Sequence, residues 1–154
     1  MTEHSVVHNT FVIERTYNAS PARVFSALSD PVKKRRWFAE GEGFVIDEFT
    51  TDFRVNGLEL TRFRPVGGPP MRNDCVYQDI VHERRIVFVY TMMIGDKRIS
   101  SSLATMEIVP VGDKTQLVYT EQGAYFDGAD QPKNREEGCR ELLGKLEEEL
   151  QNHP

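Results

Sequence analysis

Thr120-Glu121-Gln122-Gly123-Ala124-Tyr125-Phe126-Asp127-Gly128 decides how this chain folds, because it joins a strand ending in a cavity wall to the long helix that closes the cavity. Upstream, Thr115-Gln116-Leu117-Val118-Tyr119-Thr120 is rich in β-branched and aromatic residues, the composition of a strand. Downstream, Cys139, Leu142, Leu143, Leu146 and Leu150 recur at spacings of three and four, which predicts an amphipathic helix over residues 136–150. Between them, two glycines and a run of small and aromatic residues sit where the backbone is expected to turn beside an apolar interior. The pattern points to a container before it points to any reaction.

Working outward, Phe11, Ile13 and Tyr17 alternate with Val12, Glu14 and Thr16 and give a first strand over 7–17. Ser20-Pro21 and Asp30-Pro31 are two helix starts, each a capping side chain followed by a proline with no amide to leave unpaired. The first short helix buries Val24, Phe25 and Leu28, and the second ends near Trp37-Phe38. From Gly41 onward the chain reads as strands over 44–49, 53–55, 58–64, 72–81, 86–93, 98–109 and 115–122, paired consecutively and antiparallel. Asn56-Gly57, with positive φ expected at both residues, Gly95-Asp96 and Gly112-Asp113 supply hairpin turns. Pro65-Val66-Gly67-Gly68-Pro69-Pro70 cannot join a ladder and is expected to be an exposed loop. The predicted class is α+β in one domain over 1–154: a curved antiparallel sheet around a long C-terminal helix, with two short helices between strands one and two.

A chain of 154 residues buries about 70% of the surface exposed when unfolded, enough for a single core. With 39% hydrophobic and 28% charged residues it has the composition of a globular protein, and a net charge of -5 argues against nucleic acid as a partner. The two cysteines, Cys75 and Cys139, exclude a disulfide framework and read as small buried hydrophobes in a reducing compartment. Met1-Thr2-Glu3-His4-Ser5 leads into no apolar secretory segment, so a cytoplasmic location is expected. The apolar run from Ile86 to Ile94 is too short for membrane insertion and reads as a buried strand. His4, His8, His82 and His153 have no ligand spacing with the cysteines, and no phosphate-binding or dinucleotide fingerprint occurs, so neither metal nor cofactor is implied.

The order of Trp37-Phe38, Asp52-Phe53-Arg54-Val55-Asn56-Gly57, Ile99 to Thr105, Thr120-Glu121-Gln122-Gly123 and Arg135-Glu136-Glu137-Gly138 resembles the START-like, Bet v 1-like (SRPBCC) helix-grip superfamily, in its Hsp90 ATPase activator homologue family. The resemblance spans about Phe11 to Leu150 and implies a pocket shared by lipid carriers, hormone receptors, polyketide cyclases and aromatases, and co-chaperone domains. This chain departs from the family pattern at Asn56-Gly57, where relatives have Gly-Gly, and at Gly138-Cys139, where many have Gly-Trp. If Cys139 faces the cavity, the missing aromatic leaves it roomier or filled by a neighbour. Eukaryotic activators also carry an N-terminal domain for which 154 residues leave no room, which weakens the co-chaperone reading.

Strand alternation nominates Phe88, Tyr90 and Met92, then Ala104, Met106 and Ile108, then Leu117 and Tyr119 as inward-facing. Trp37, Phe38, Tyr125 and Phe126 are expected near the mouth as a lid, with Cys139, Leu143 and Leu146 lining the cavity from the helix. The competing reading is a solid core made of the same residues. Glu107 and Glu121 are acids within strands; such acids usually face water or pair with an arginine, for which Arg54 and Arg62 are available, and Glu121 is the candidate if any acid moves protons. Lys33-Lys34-Arg35-Arg36 reads as a solvated helix face complementing the helix dipole rather than a site for phosphate head groups, and Ser100, Ser101 and Ser102 belong to strand faces. The expected function is therefore binding of a small hydrophobic molecule, as carrier or sensor; the alternatives are a cyclase-like or aromatase-like enzyme, and a regulator of an Hsp90-type chaperone. A homodimer through an edge strand is a further expectation, with Arg62, Arg64 and Pro65 as the residues that would blunt such an edge.

Overall fold

A computed structural model describes residues 4–154; Met1, Thr2 and Glu3, on which part of the reading of the chain start rests, lie outside the described residues. Strand β1 (Val6–Tyr17) is followed by α1 (Pro21–Ser29), α2 (Pro31–Lys34) and a π-helical turn (Arg35–Ala39). Strands β2 (Phe44–Thr51), β3 (Leu58–Pro65), β4 (Met71–Val81), β5 (Arg85–Ile94), β6 (Lys97–Val111) and β7 (Lys114–Phe126) follow, then α3 (Pro132–Asn152). The strands form one curved antiparallel sheet in the order β1-β7-β6-β5-β4-β3-β2. Both predicted helix starts are capped as their side chains dictate: Ser20 accepts from the Arg23 amide, and Asp30 accepts from the Val32 and Lys33 amides.

Each of β2, β4 and β6 carries an extra residue relative to its partner, at Asp47, Gln78 and Ile99. Such bulges increase local twist and bend the sheet. The bulge at Ile99 also explains why Ile99 and Ser100, consecutive in sequence, are both buried. Helix α3 packs against β1 and the π-helical turn, and α1 packs against β6 and β7. The core between them is built on Ile13, Tyr17, Val24, Leu28, Met106, Ile108, Leu117, Leu143 and Leu146.

Several local expectations are corrected. Residues 53–55 are loop rather than strand, since the β2–β3 connection runs from Asp52 to Gly57. Of Asn56 and Gly57, only Asn56 has positive φ, at 68°. Gly57 is required for another reason, because a Cβ there would lie 1.9 Å from the Asp52 carbonyl oxygen. Strand β7 continues to Phe126, and the turn toward α3 falls at Asp127 and Gly128, with φ of 60° and 67°. Arg62, Arg64 and Pro65 do not blunt an edge, because β3 is paired on both sides and the edges are β1 and β2. Arg62 instead pairs with Glu48 across the ladder at 3.2 Å.

The basic run is not a uniformly solvated face. Lys33 donates to Ser26 Oγ, Arg35 pairs with Glu40, and Arg36 reaches Glu149 of α3. Lys34 turns inward and donates to both carboxylate oxygens of Glu59 on β3, at 2.9 and 2.8 Å, and to Tyr77 on β4 at 3.2 Å. Tyr77 and Thr51 also donate to Glu59, at 2.7 and 2.8 Å. Burial favours the neutral acid, but the charge and hydrogen bonds of Lys34, with those of Tyr77 and Thr51, hold Glu59 below its ordinary value of 4.5.

Two outcomes are expected. Gly57→Ala should lower stability by about 2–3 kcal/mol, because the clash is with backbone, whereas Asn56→Gly should stay within about 0.5 kcal/mol; urea denaturation of both variants checks this. Because the folded-state pKa of Glu59 lies below its unfolded value, the stability it contributes is complete above the ordinary carboxylate range and is lost as pH falls through the folded value. Wild-type stability should therefore fall more steeply than that of Glu59→Gln between about pH 6 and pH 3, and parallel curves would contradict the assignment.

Candidate functional site

The strand register arranges the concave face in cross-strand rows. One runs Thr61, Asn73, Met92, Ser100, Tyr125 from β3 to β7. The next runs Glu59, Cys75, Tyr90, Ser102, Gly123, and the one after it Tyr77, Phe88, Ala104, Glu121 with Phe11 of β1. The row of Ile86, Met106, Tyr119 and Ile13 beyond them is buried under the helices. Polar side chains thus gather in the first rows and apolar ones in the last. Glycine at 123 has a packing reason, since a Cβ there would meet the Tyr125 ring at 2.9 Å.

Glu121 is 0% exposed and accepts from the Tyr90 hydroxyl, at 2.8 and 2.9 Å to its two oxygens, and from Tyr119 at 2.6 Å. The Cys139 thiol lies 3.8 Å from the same carboxylate. Burial, with the Glu121 charge beside it, pushes that thiol up to about 12. Burial and then Glu121 likewise hold the Tyr90 hydroxyl well above its ordinary value, so it stays a proton donor. Arg135, in the first turn of α3, closes the cluster from above. It donates to Tyr90 at 3.2 Å, Ser100 at 2.7 Å, Ser102 at 3.5 Å and Asp130 at 3.1 Å, and stands 3.8 Å from Glu121. Its guanidinium carbon lies 5.5 and 5.3 Å from the ring centroids of Tyr90 and Tyr125. The Tyr125 hydroxyl is buried with no hydrogen-bond partner, as is Asn73 Oδ1.

The structure therefore joins Tyr90, Tyr119, Glu121 and Cys139 directly, and brings Tyr125 to them through Arg135. Phe88 stands beside Tyr90 with ring centroids 6.0 Å apart, and both Phe88 and Met92 remain partly exposed on the inward face. Phe38 packs on the same core, its ring 4.7 Å from Lys34 Nζ. Met106, Leu143 and Leu146 are in the packed interior. Trp37 is no exposed lid: it is buried, and its indole N–H donates to the Ala27 carbonyl at 2.8 Å. Tyr125 is buried in β7, while Phe126 is partly buried. The neighbours that fill the place beside Cys139 are Tyr119 and Glu121. Glu107 faces outward and is exposed.

Two surface clefts lie elsewhere. One of about 410 Å³ is lined by Tyr17, Arg23, Lys114, Glu147 and Leu150 among others, the second by Arg23, Lys33, Glu149 and His153 among others, and neither contains a predicted lining residue. Among the described residues no group of three His, Cys, Asp or Glu side chains could hold a metal ion, and no helix is long and apolar enough to cross a membrane.

Sequence reasoning missed Arg135, Asp130 and the inward positions of Ser100 and Ser102, and it missed the Lys34–Glu59–Tyr77 cluster. Signals for some were present. Ser100 and Ser102 share the period-two phase of Ala104, Met106 and Ile108, and Arg135 precedes Cys139 by four on the helical stripe. Glu59 gave the opposite signal, because its neighbours Leu58 and Leu60 attract the inward assignment, whereas Leu58 is 64% exposed.

The chain is similar over 95% of its length to the Mll3558 protein of Rhizobium loti, with 55% identity, 99% of that chain covered and a TM-score of 0.89. A protein of Rhizobium leguminosarum matches 99% of the chain and 100% of its own, with 37% identity and a TM-score of 0.94. DynU16, from the dynemicin biosynthetic locus, shares the fold alone: 13% identity, 92% of this chain against 47% of that one, and a TM-score of 0.68. No functionally curated protein matches. Residues 18–151 fit the profile of the Activator of Hsp90 ATPase homolog 1-like proteins, and the chain belongs to that family.

Proposed function

We propose that the protein binds a small, largely apolar molecule between the concave sheet face and α3, as a carrier or sensor. The observation that carries this is the state of β5: Phe88 and Met92 share the inward phase of buried Ile86 and Tyr90 but remain partly exposed, and Leu142 of α3 and Phe38 are partly buried against the same core. Aromatic and thioether groups left accessible on an inward face form a surface an apolar molecule can cover. Removing about 300 Å² of apolar area from water contributes roughly 7 kcal/mol, before the cost of immobilising the ligand. The family is consistent with ligand binding or polyketide cyclase-like chemistry.

A second reading, an enzyme of the cyclase or aromatase kind, is favoured by the chain of hydrogen bonds from buried Glu121 through Tyr90 to Arg135. It ranks second because both carboxylate oxygens are already occupied and the group is closed to solvent, so Glu121 holds Tyr90, Tyr119 and Arg135 in place rather than meeting a substrate. Regulation of an Hsp90-type chaperone rests on the family relationship alone. Edge strands β1 and β2 are where a second copy would pair.

Native and denaturing mass spectra of protein purified gently from its host should differ by a reproducible small-molecule mass. Phe88→Trp, which adds bulk at this partly exposed inward position, should abolish that mass while changing stability by less than about 1 kcal/mol. The same retained mass in the variant would refute the assignment. Stimulation of the host chaperone's ATPase by unliganded protein would favour the regulator instead.

A further inference from the structure

Alternation along the strands puts Leu58, Val76, Val89 and Leu103 in one cross-strand row on the outer face of the sheet, the face turned away from the helices. Leu58 is 64% and Leu103 37% exposed, and Val76 and Val89 are half-buried. Val87 and exposed Val12 stand in the next row. The solvated face of an antiparallel sheet is ordinarily polar, and a contiguous apolar row across its middle strands marks an interaction surface.

Charge divides this face about that row. Two rows to one side, the register aligns Arg62, Arg72, Met93 and Arg98, with Glu48 at the end. Two rows to the other side, it aligns Arg85, Glu107, Val118 and Glu14. Arg62 is paired with Glu48, Arg72 with Asp74 and Arg85 with Asp79, whereas exposed Arg98, Glu107 and Glu14 have no ion-pair partner among the described residues. Arg98 and Glu107 lie on the same strand, β6, on opposite sides of Leu103. Glu107 is four residues beyond Leu103 and Arg98 five before it, but one of those five is the extra residue at Ile99. Both charges therefore stand about 13 Å from Leu103 along the strand.

We propose that this outer face packs on the outer face of a second copy of the chain, about a two-fold axis that runs across the strands along the row from Leu58 to Leu103. The operation lays the apolar row on its own counterpart and sets Arg98 against the partner's Glu107, twice by symmetry. The other face-to-face two-fold, along the strands, brings the arginines of one copy against those of the other, which like charge disfavours. Because the sheet bends toward its helices, two outer faces meet only around their middles. The pair therefore belongs among the small interfaces, those that bury less than about 1,200 Å² and form weakly. Backbone pairing at the open edges of β1 and β2 would leave this face uncovered. The inference is independent of what the concave face binds.

Sedimentation velocity on the full chain should show a dimer fraction that rises with concentration between about 1 and 300 µM. Leu103→Lys, which places a charge in the middle of the apolar row, should raise the dimer dissociation constant at least about tenfold. Arg98→Glu and Glu107→Lys should each weaken the dimer about tenfold, since each sets two like-charged pairs across the two-fold. An equimolar mixture of those two variants should dimerise within about threefold of the wild type, because in the mixed dimer both pairs are again of opposite charge. All three positions are exposed, so folding should be retained, which circular dichroism checks. Monomer alone at the highest concentration, or no recovery in the mixture, overturns the proposal. A dimer that Leu103→Lys leaves unchanged also overturns it and assigns the pairing to the edge strands.

Discussion

A carboxylate with no solvent exposure, Glu121, is the constraint on which the rest of the concave face depends. A buried charge must be supplied with donors and counter-charge at fixed positions, and few arrangements of elements can do so. Tyr90 on β5, Tyr119 on β7 and Arg135 on α3 meet the requirement together, and Arg135 in turn engages Ser100 and Ser102 on β6 and Asp130 ahead of the helix. Three strands and the first turn of α3 are therefore set relative to one another by hydrogen bonds with direction, which the leucines of α3 alone could not do. Removing one partner of such a buried set costs about 3–5 kcal/mol, far more than the set adds over a well-packed apolar alternative. Its value is to specify one arrangement.

A second set, Lys34 with Glu59, Tyr77 and Thr51, does the same at the other side of the sheet. Both sets follow one plan: an acid on the sheet, tyrosine hydroxyls from the sheet, and a base from a helix. Because α2 runs into the π-helical turn, Lys34 fixes the depth at which Trp37 and Phe38 lie, and Arg36 fastens the same segment to Glu149 of α3. Between the two ionic sets run the rings of Tyr77, Phe88 and Tyr90, with centroids 6.2 and 6.0 Å apart. The helices are thus held to the sheet by polar contacts at the sides, and the middle is left to aromatic surface.

Much of this was legible in the sequence, and what was not has identifiable causes. The inward phase of Leu117, Tyr119 and Glu121 followed from alternation over a strand with no bulge against its neighbours, and the serine and aspartate before the two prolines announced the helix starts. Glu59 and Thr61 were hidden because β3 places polar residues inward and leucines outward, the reverse of the pattern from which burial is inferred. Lys34 was hidden within a run of four basic residues whose members all look alike until the helix distributes them over different directions. The bulge at Gln78 shifts the phase along β4, which alternation alone does not reveal. Arg135 needed only a longer view, since the helical stripe extends one turn before the first apolar residue counted.

The distribution of polarity also bears on the ranking of the two proposed readings, holding a molecule and transforming it. Chemistry requires a reacting group that the substrate can touch, with a proton path that is not already closed. Here the acids on the concave face, Glu59 and Glu121, have their oxygens occupied by protein donors, and the Cys75 and Cys139 thiols are each pushed up to about 12, chiefly by burial, so neither is a thiolate at neutral pH. Among the groups left partly exposed against the core are a phenyl ring and a thioether, Phe88 and Met92, which provide contact area. That arrangement, buried acids held by protein donors beside partly exposed aromatic and thioether surface, is what the proposed binding of an apolar molecule rests on.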